Sequence, residues 1–239
     1  VYTAGGSWVN STAIDASTGS TDVYVYSDLT ISSDADANNL GINSGNTLTL
    51  NSSTSLDVNG NLTVNGTFNI NSSGSLIIDG TSTGDVTYNR NIPTGGIVPP
   101  DFYLISSPVV GQDIDAFVSA EGLATGTGDN VGLGDYSNST PGWSYYQSGA
   151  SGTGDFVSGD GRAIALATSG DISFTGTVDV TDTGVDIDLT SNSNGFNLIG
   201  NPYPSYINAN SNADGTNNLL SINSGDLTEL TIWFWNETT

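Results

Sequence analysis

The sequence predicts an all-β chain: a short β-solenoid-like repeat region followed by an antiparallel β-sandwich of jelly-roll-like type. Three observations carry that prediction. Apolar-x-apolar triplets recur at short, regular steps through the first part of the chain. Helix signals are nearly absent, because Gly or Asn interrupts almost every window. Beyond a proline- and glycine-rich stretch the strands lengthen and alternate cleanly between apolar and polar residues.

The triplets are 29–31, 40–42, 48–50, 56–58, 62–64, 68–70, 76–78 and 86–88. Turn signals fall between them at Ser44-Gly45, Asn59-Gly60, Asn65-Gly66 and Asp79-Gly80. The outer side chains of each triplet point one way and the middle one the other. In a solenoid each triplet forms one side of a coil and its apolar positions stack inside. A meander of Asn-Gly hairpins needs strands of only about four residues, short for free-standing hairpins. The solenoid accommodates the steps better. An echo at 28 residues relates Ile42–Gly45 to Ile70–Ser73 and Leu48 to Leu76. The middle residues, read in chain order, are Thr30, Gly41, Thr49, Asp57, Thr63, Asn69, Ile77 and Thr87. That mixture predicts no ordered threonine face of the kind that binds ice.

The repeat region is placed at residues 1–89 and a hinge at 90–101, where Pro93, Gly95, Gly96, Pro99 and Pro100 break the pattern. A sandwich domain is placed at 102–239, with strands expected at 102–105, 143–146, 162–167, 171–180, 184–189, 196–199 and 230–235. The one helical candidate is 114–120 (IDAFVSA). In GFNLIGNPYPSYINAN (195–210), Phe196, Leu198 and Ile199 read as a core strand. Pro202 and Pro204 remove two N–H donors, so the segment leaves the sheet, with Tyr203 and Tyr206 packing over its edge.

Twenty-five acidic residues stand against Arg90 and Arg162, a net charge of -23, with no Lys, His, Cys or Met. Nothing here builds a basic patch for nucleic acid or an anionic lipid surface, and no apolar run is long enough for direct membrane insertion as a helix. Without His or Cys, a Ser-His-Asp or Cys-His nucleophile is impossible. The chain starts at Val1 and reads as a mature or excised segment.

Several stretches resemble large cell-surface proteins of Bacteroidota exported by the type IX system. They are 58–80 (VNGNLTVNGTFNINSSGSLIIDG), 86–93 (VTYNRNIP), 103–112 (YLISSPVVGQ), 174–178 (FTGTV), 195–209 and 230–236 (LTIWFWN). The resemblance implies a secreted protein on the bacterial cell surface with an adhesin-like or scaffold role. It attaches no catalytic residue to these motifs.

Candidate sites are therefore sought among carboxylates and aromatic rings. Calcium is the credible cofactor, since a hard cation takes several oxygens. Asp34 with Asp36, Asp113 with Asp115, and Asp129 are its candidate ligands. Each cluster also reads as solvated acid. Trp143 and Tyr145, with Tyr203, could form a platform for sugar rings, whereas Trp233 and Trp235 read as core. Paired carboxylates for glycoside hydrolysis, drawn from Glu121, Asp155, Asp160 and Asp171, show no distinguishing spacing.

The expectation is a non-enzymatic, extracellular structural or adhesive segment, with a place in a filament or cell-surface array. Its partners would be other chains of the same assembly, or glycans. The alternative is a carbohydrate-binding module of a secreted polysaccharide-processing protein.

Overall fold

In the computed structural model, described for residues 2–3, 7–8, 14–93, 102–181, 184–191 and 195–234, the chain is all-β. After a short hairpin of β1 (Tyr2–Thr3) and β2 (Ser7–Trp8), three coils follow, each with three sides. The first holds β3 (Val23–Val25), β4 (Leu29–Ile31) and β5 (Ala35–Ala37); the second β6 (Leu40–Ile42), β7 (Thr47–Leu50) and β8 (Ser55–Val58). The third holds β9 (Leu62–Val64), β10 (Thr67–Ile70) and β11 (Ser75–Ile78), and a fourth begins with β12 (Ser82–Thr83) and β13 (Val86–Ile92). Corresponding sides pair in parallel and make three sheets around one core. This is the predicted β-solenoid, with every triplet falling on a strand.

The repeat is about twenty residues, not 28. Leu48 lies against Phe68, and Leu56 against Leu76. The 28-residue echo compares one side of a coil with the following side of the next, which share a pattern but not a sheet. The same sorting changes the outer surface. Thr30, Thr49, Asn69 and Thr87 are in register on the second face, and Thr175 continues that row. The third face carries Asp36, Asp57 and Ile77 instead. A row read along the chain mixes three surfaces that the coils separate.

Inward side chains explain the stacking. Val25, Leu48, Leu50, Leu56, Leu62, Phe68 and Ile70 are fully buried, and each coil alone would leave them half in water. Corners are closed by acceptor side chains from the coil before. Asp28 accepts from Thr47 N at 2.8 Å, Asp34 from Ser55 N at 2.8 Å, and Asn39 from Asn61 N at 2.8 Å. Asn61 in turn accepts from both N and Oγ1 of Thr81. Gly84 turns one corner at φ +82°, where a Cβ would lie 2.1 Å from the Val64 carbonyl oxygen.

The second part contributes β14 (Tyr103–Ile105), α1 (Ile114–Ala120), β15 (Asn130–Ser137), β16 (Gly142–Gln147), β17 (Arg162–Ile164), β18 (Gly170–Gly176) and the short helix α2 (Leu219–Ile222). Four strands form an antiparallel sheet in the order β14-β17-β15-β16. The fifth, β18, instead pairs antiparallel with β13 along all seven residues, from Val86–Gly176 to Ile92–Gly170. Arg90 to Ile92, placed in the hinge by sequence, belong to that paired strand; residues 94–101 of the hinge lie outside the described residues. Phe117 of α1, Phe156 and Phe174 of β18 pack ring against ring at 5.0–5.5 Å, and one apolar cluster runs from Val23 to Val178.

Helix α1 occupies the predicted residues. Asp113 caps it by accepting from Ala116 N at 2.7 Å. The strands expected at 184–189 and 196–199 do not form, and none forms over 230–234 among the described residues. Val185, Ile187 and Leu189 are still less exposed than Asp186 and Asp188, so the alternation marks the side facing the protein without a ladder partner. Trp233, expected in the core, is 73 % exposed, because that segment has no sheet face to cover it; Trp235 lies outside the described residues.

The segment 195–210 also differs from a core strand. Phe196 and Ile199 are exposed, and Leu198 is half-buried against Gly161. The prolines are buried, and the Pro204 carbonyl accepts from Leu76 N at 2.8 Å, on the outer edge of β11. A segment without N–H donors at two positions meets that edge once and cannot extend it. Tyr206 remains 77 % exposed, while its hydroxyl reaches the Ser73 carbonyl of the solenoid at 3.5 Å.

These contacts separate inward from outward positions. Leu56→Ala should cost about 2–5 kcal/mol in denaturant unfolding. Thr49→Ala, on the outer face, should stay within about 0.5 kcal/mol. Similar losses at both positions would contradict the stacked core.

Candidate functional site

Strand β16 reads Gly-Trp-Ser-Tyr-Tyr-Gln, so Trp143 and Tyr145 fall on one face and Tyr146 on the other. Beside them in β15 stands Gly134, in register with Tyr145. A Cβ there would lie 3.2 Å from the Tyr145 ring and 3.5 Å from that of Trp143, so the bare backbone lets both rings lie down on the sheet. Tyr136, in register with Trp143, brings its ring centroid to 5.3 Å from the indole. Phe102 stands 5.8 Å from Tyr145. The four rings form a strip along the outer face of the sheet, with Trp143 42 % and Tyr145 37 % exposed. The predicted pairing of Trp143 with Tyr145 is thus present.

The opposite face carries the polar centre. Arg162, at the start of β17, is buried and faces the same side as Ile164. Its Nη1 lies 3.3 Å from Asp135 and donates to the Gly161 carbonyl at 2.9 Å. Its Nη2 lies 3.6 Å from Asp160, and its Nε donates to the Tyr146 hydroxyl at 3.3 Å. Next to it is a cavity of about 120 Å³, walled by Asp135, Tyr136, Asn138, Asp160, Arg162 and Asp188. Asn138 donates to the carbonyls of Thr190 and Phe196, while its buried Oδ1 has no hydrogen-bond partner. Tyr136 belongs to both the cavity wall and the ring strip.

Sequence reasoning missed Asp135, Tyr136 and Asn138 because it missed β15. Gly132 and Gly134 lower strand propensity, yet they are required where Ala165 O and the Tyr145 ring press on the backbone. Arg162 was visible only as one of two cations. The cue available was a lone Arg inside an apolar strand, which needs carboxylate partners when buried.

The other expected residues lie apart from this centre. Tyr203 is half-buried, and its hydroxyl accepts from Val185 N at 3.2 Å. Asp113 is the helix cap, and Asp115 accepts from Thr153 N and Oγ1, bonds that hold its carboxyl below the usual range. Asp129 is exposed, and its carbonyl accepts from Ser148 N at the base of the β15–β16 hairpin. Of the carboxylates considered for hydrolysis, Asp160 lines the cavity, Glu121 accepts from Ser173 N, and Asp171 from Asn91 Nδ2. Asp155 makes a backbone bridge with Asp113. A second depression, about 240 Å³, lies on the solenoid surface between Tyr24, Tyr26 and Thr63, with no carboxylate in its wall.

Asp34 and Asp36 belong to the third solenoid face. Asp36 stands in register with Asp57, whose Oδ1 is buried without a partner. Burial raises the Asp57 pKa, and the charges of Asp36, Asp79 and Asp34 raise it further. A carboxyl with a raised folded pKa opposes folding when ionised. That cost is absent below the ordinary carboxylate pKa of about 4, grows above it, and levels off once pH passes the folded value. Asp57→Asn should therefore raise the melting temperature at pH 7, and the gain should shrink toward zero in acid. A lower melting temperature at pH 7 would show that the carboxylate is stabilising.

No curated protein and no solved structure matches the chain. A family model does match, over residues 6–239, and its description gives no activity. With nearly the whole chain covered, solenoid and antiparallel sheet together, the chain belongs to the family described as Domain of unknown function (DUF8693).

Proposed function

We propose that the chain is a non-enzymatic adhesive segment of an extracellular surface protein. The solenoid acts as a stiff spacer, and the ring strip of the antiparallel sheet is the contact surface for glycans. The observation that carries this reading is the strip itself: Tyr136, Trp143, Tyr145 and Phe102 side by side on an outer sheet face. Sugar rings present flat C–H faces that stack on aromatic rings, and their hydroxyls suit a surface of Ser, Thr, Asn and Asp. Aromatic rings left in water usually earn their exposure by binding something amphipathic.

The charge of -23 directs the choice of glycan. Acidic polysaccharides are repelled at low ionic strength, so neutral ones are the natural class. The C-terminal edges of two solenoid faces favour a spacer over a unit that assembles there. The last strand of the second face is paired with β18, and that of the third face meets Pro204. The free side of β18 is closed in turn, since Glu121 and Gln112 accept from its Ser173 and Thr175 N–H groups. The edge paired with β18 is closed to strand addition by another chain, and the prolines obstruct it at β11.

The test is affinity for insoluble neutral polysaccharides by pull-down and titration. Trp143→Ala and Tyr145→Ala should each weaken binding about tenfold or more, consistent with loss of about 1.4 kcal/mol or more, while far-UV circular dichroism stays unchanged. Equal binding by wild type and the double variant would remove the reading.

A further inference from the structure

The solenoid carries an aromatic surface of its own, on its first face. Tyr24 of β3, Gly41 of β6 and Thr63 of β9 stand in register, one outward row along the solenoid axis. Gly41 is the low point of that row. A Cβ there would lie 2.7 Å from Cδ1 of Tyr24, so the ring rests on bare backbone. A second row runs beside the first, at the corner. Tyr26, Asn43 and Asn65 each follow a strand residue of one register column, Val25, Ile42 and Val64. The two rows line the depression of about 240 Å³ on the solenoid surface. Tyr24 is 43 % and Tyr26 47 % exposed, as open as Trp143 and Tyr145.

Two observations point to a ligand over this trough. The first is a pair of idle amides. At other corners Asn39 donates to Asp22, Asn59 donates to the Gly19 carbonyl, and Asn61 accepts from Thr81. The side chains of Asn43 and Asn65 make no hydrogen bond among the described residues. The second observation is charge. The chain carries a net charge of -23, yet no carboxylate lines the trough among the described residues. Asp22 and Asp28, the nearest in sequence, are held at corners by Asn39 Nδ2 at 2.7 Å and Thr47 N at 2.8 Å.

These features sort the ligand chemistries. An uncharged trough on an acidic molecule gives a cation no ligand and repels an anion. An extended peptide needs an open strand edge, and β3, β6 and β9 are each paired on both sides. A purely aliphatic ligand would cover two amides and the Thr63 hydroxyl without pairing them. A neutral sugar chain suits both parts of the wall. Its C–H faces stack on tyrosine rings, and its hydroxyls donate to and accept from amides.

We infer that the trough on the first solenoid face is a second binding site for neutral glycan, the sugar chain running along the solenoid axis. Tyr24 and Tyr26 take the ring faces of one unit, and Asn43, Thr63 and Asn65 take the hydroxyls of the next. The site stands independently of the ring strip on the antiparallel sheet. With both in use, one chain has two holds on the same class of polymer.

The experiment is titration calorimetry on the full chain carrying Trp143→Ala and Tyr145→Ala, which silences the ring strip. The probes are cello-, xylo-, manno- and laminari-hexaose, with oligogalacturonate as the acidic comparison. At least one neutral hexaose should still bind, with oligogalacturonate at least about tenfold weaker. Adding Tyr26→Ala should weaken that hexaose about tenfold or more. Adding Asn43→Ala and Asn65→Ala together should weaken it about threefold or more, as for neutral hydrogen bonds. A ring over a glycine also shields its backbone, which is a purely structural use of Tyr24. Tyr26→Ala leaves that packing in place, so its melting temperature should match the parent. If Tyr26→Ala and the amide variant both bind within about twofold of the parent, the trough is overturned. Binding by wild type but not by the Trp143→Ala, Tyr145→Ala parent also overturns the trough and leaves the ring strip standing. Equal binding by wild type and that parent, lost with Tyr26→Ala, removes the ring strip and leaves the trough. If wild type binds no hexaose, both fall. Oligogalacturonate bound as tightly as a neutral hexaose would overturn the neutral-glycan assignment.

Discussion

Everything in this molecule hangs on the seam between β13 and β18. A solenoid must end somewhere, and its last coil exposes a row of backbone donors and acceptors at the edge of each sheet. Here the second part of the chain returns and pairs with that edge over seven residues. The seam does three things at once. It closes the second face of the solenoid, and it carries Phe174 into contact with Phe117 and Phe156. It also fixes the position from which Gln112 and Glu121, flanking α1, reach back to close the free side of β18. The antiparallel sheet, with its ring strip and polar cavity, is held in place through that apolar cluster.

The acidic composition has a structural use that net charge conceals. Coil corners leave N–H groups pointing at the next coil, and an acceptor-only side chain fits them without bringing a competing donor. Asp28 and Asp34 fill that role directly, and Asp22 accepts from Asn38 and Asn39. The exception is Asp57, which faces Asp36 across a parallel ladder and whose buried Oδ1 has no hydrogen-bond partner among the described residues. Most of the charge is thus tolerated because it is either solvated or spent on backbone donors.

Much of the solenoid was legible because its period is short and its inward positions admit only apolar residues. Leu56, Phe68 and Ile70 announce themselves by chemistry, as does the Asp113 cap before α1. The sheet of the second part was half legible. Strand β15 hid behind Gly132 and Gly134, whose presence reflects a neighbouring carbonyl and a neighbouring ring, both distant in sequence. The stretch from Val185 to Leu189 erred in the other direction. Alternation reports a one-sided environment, and here that side is the protein surface, not a ladder. Trp143 and Tyr145 could be paired from their spacing alone. Tyr136, Asn138 and Asp135 could not be joined to Arg162 without the register of β15 on β17.

The scarcity of cations has a further consequence for how such a chain meets proteases. Arg90 lies within the seam, its backbone in register with Ile172, and Arg162 is buried at the start of β17. Proteases that cut after basic residues need an extended, accessible segment, and reaching either arginine means opening a paired strand. Cleavage at both positions then follows the population of broadly unfolded molecules instead of local fraying. Against that class of digestive enzyme the two bonds are guarded by the stability of the fold as a whole.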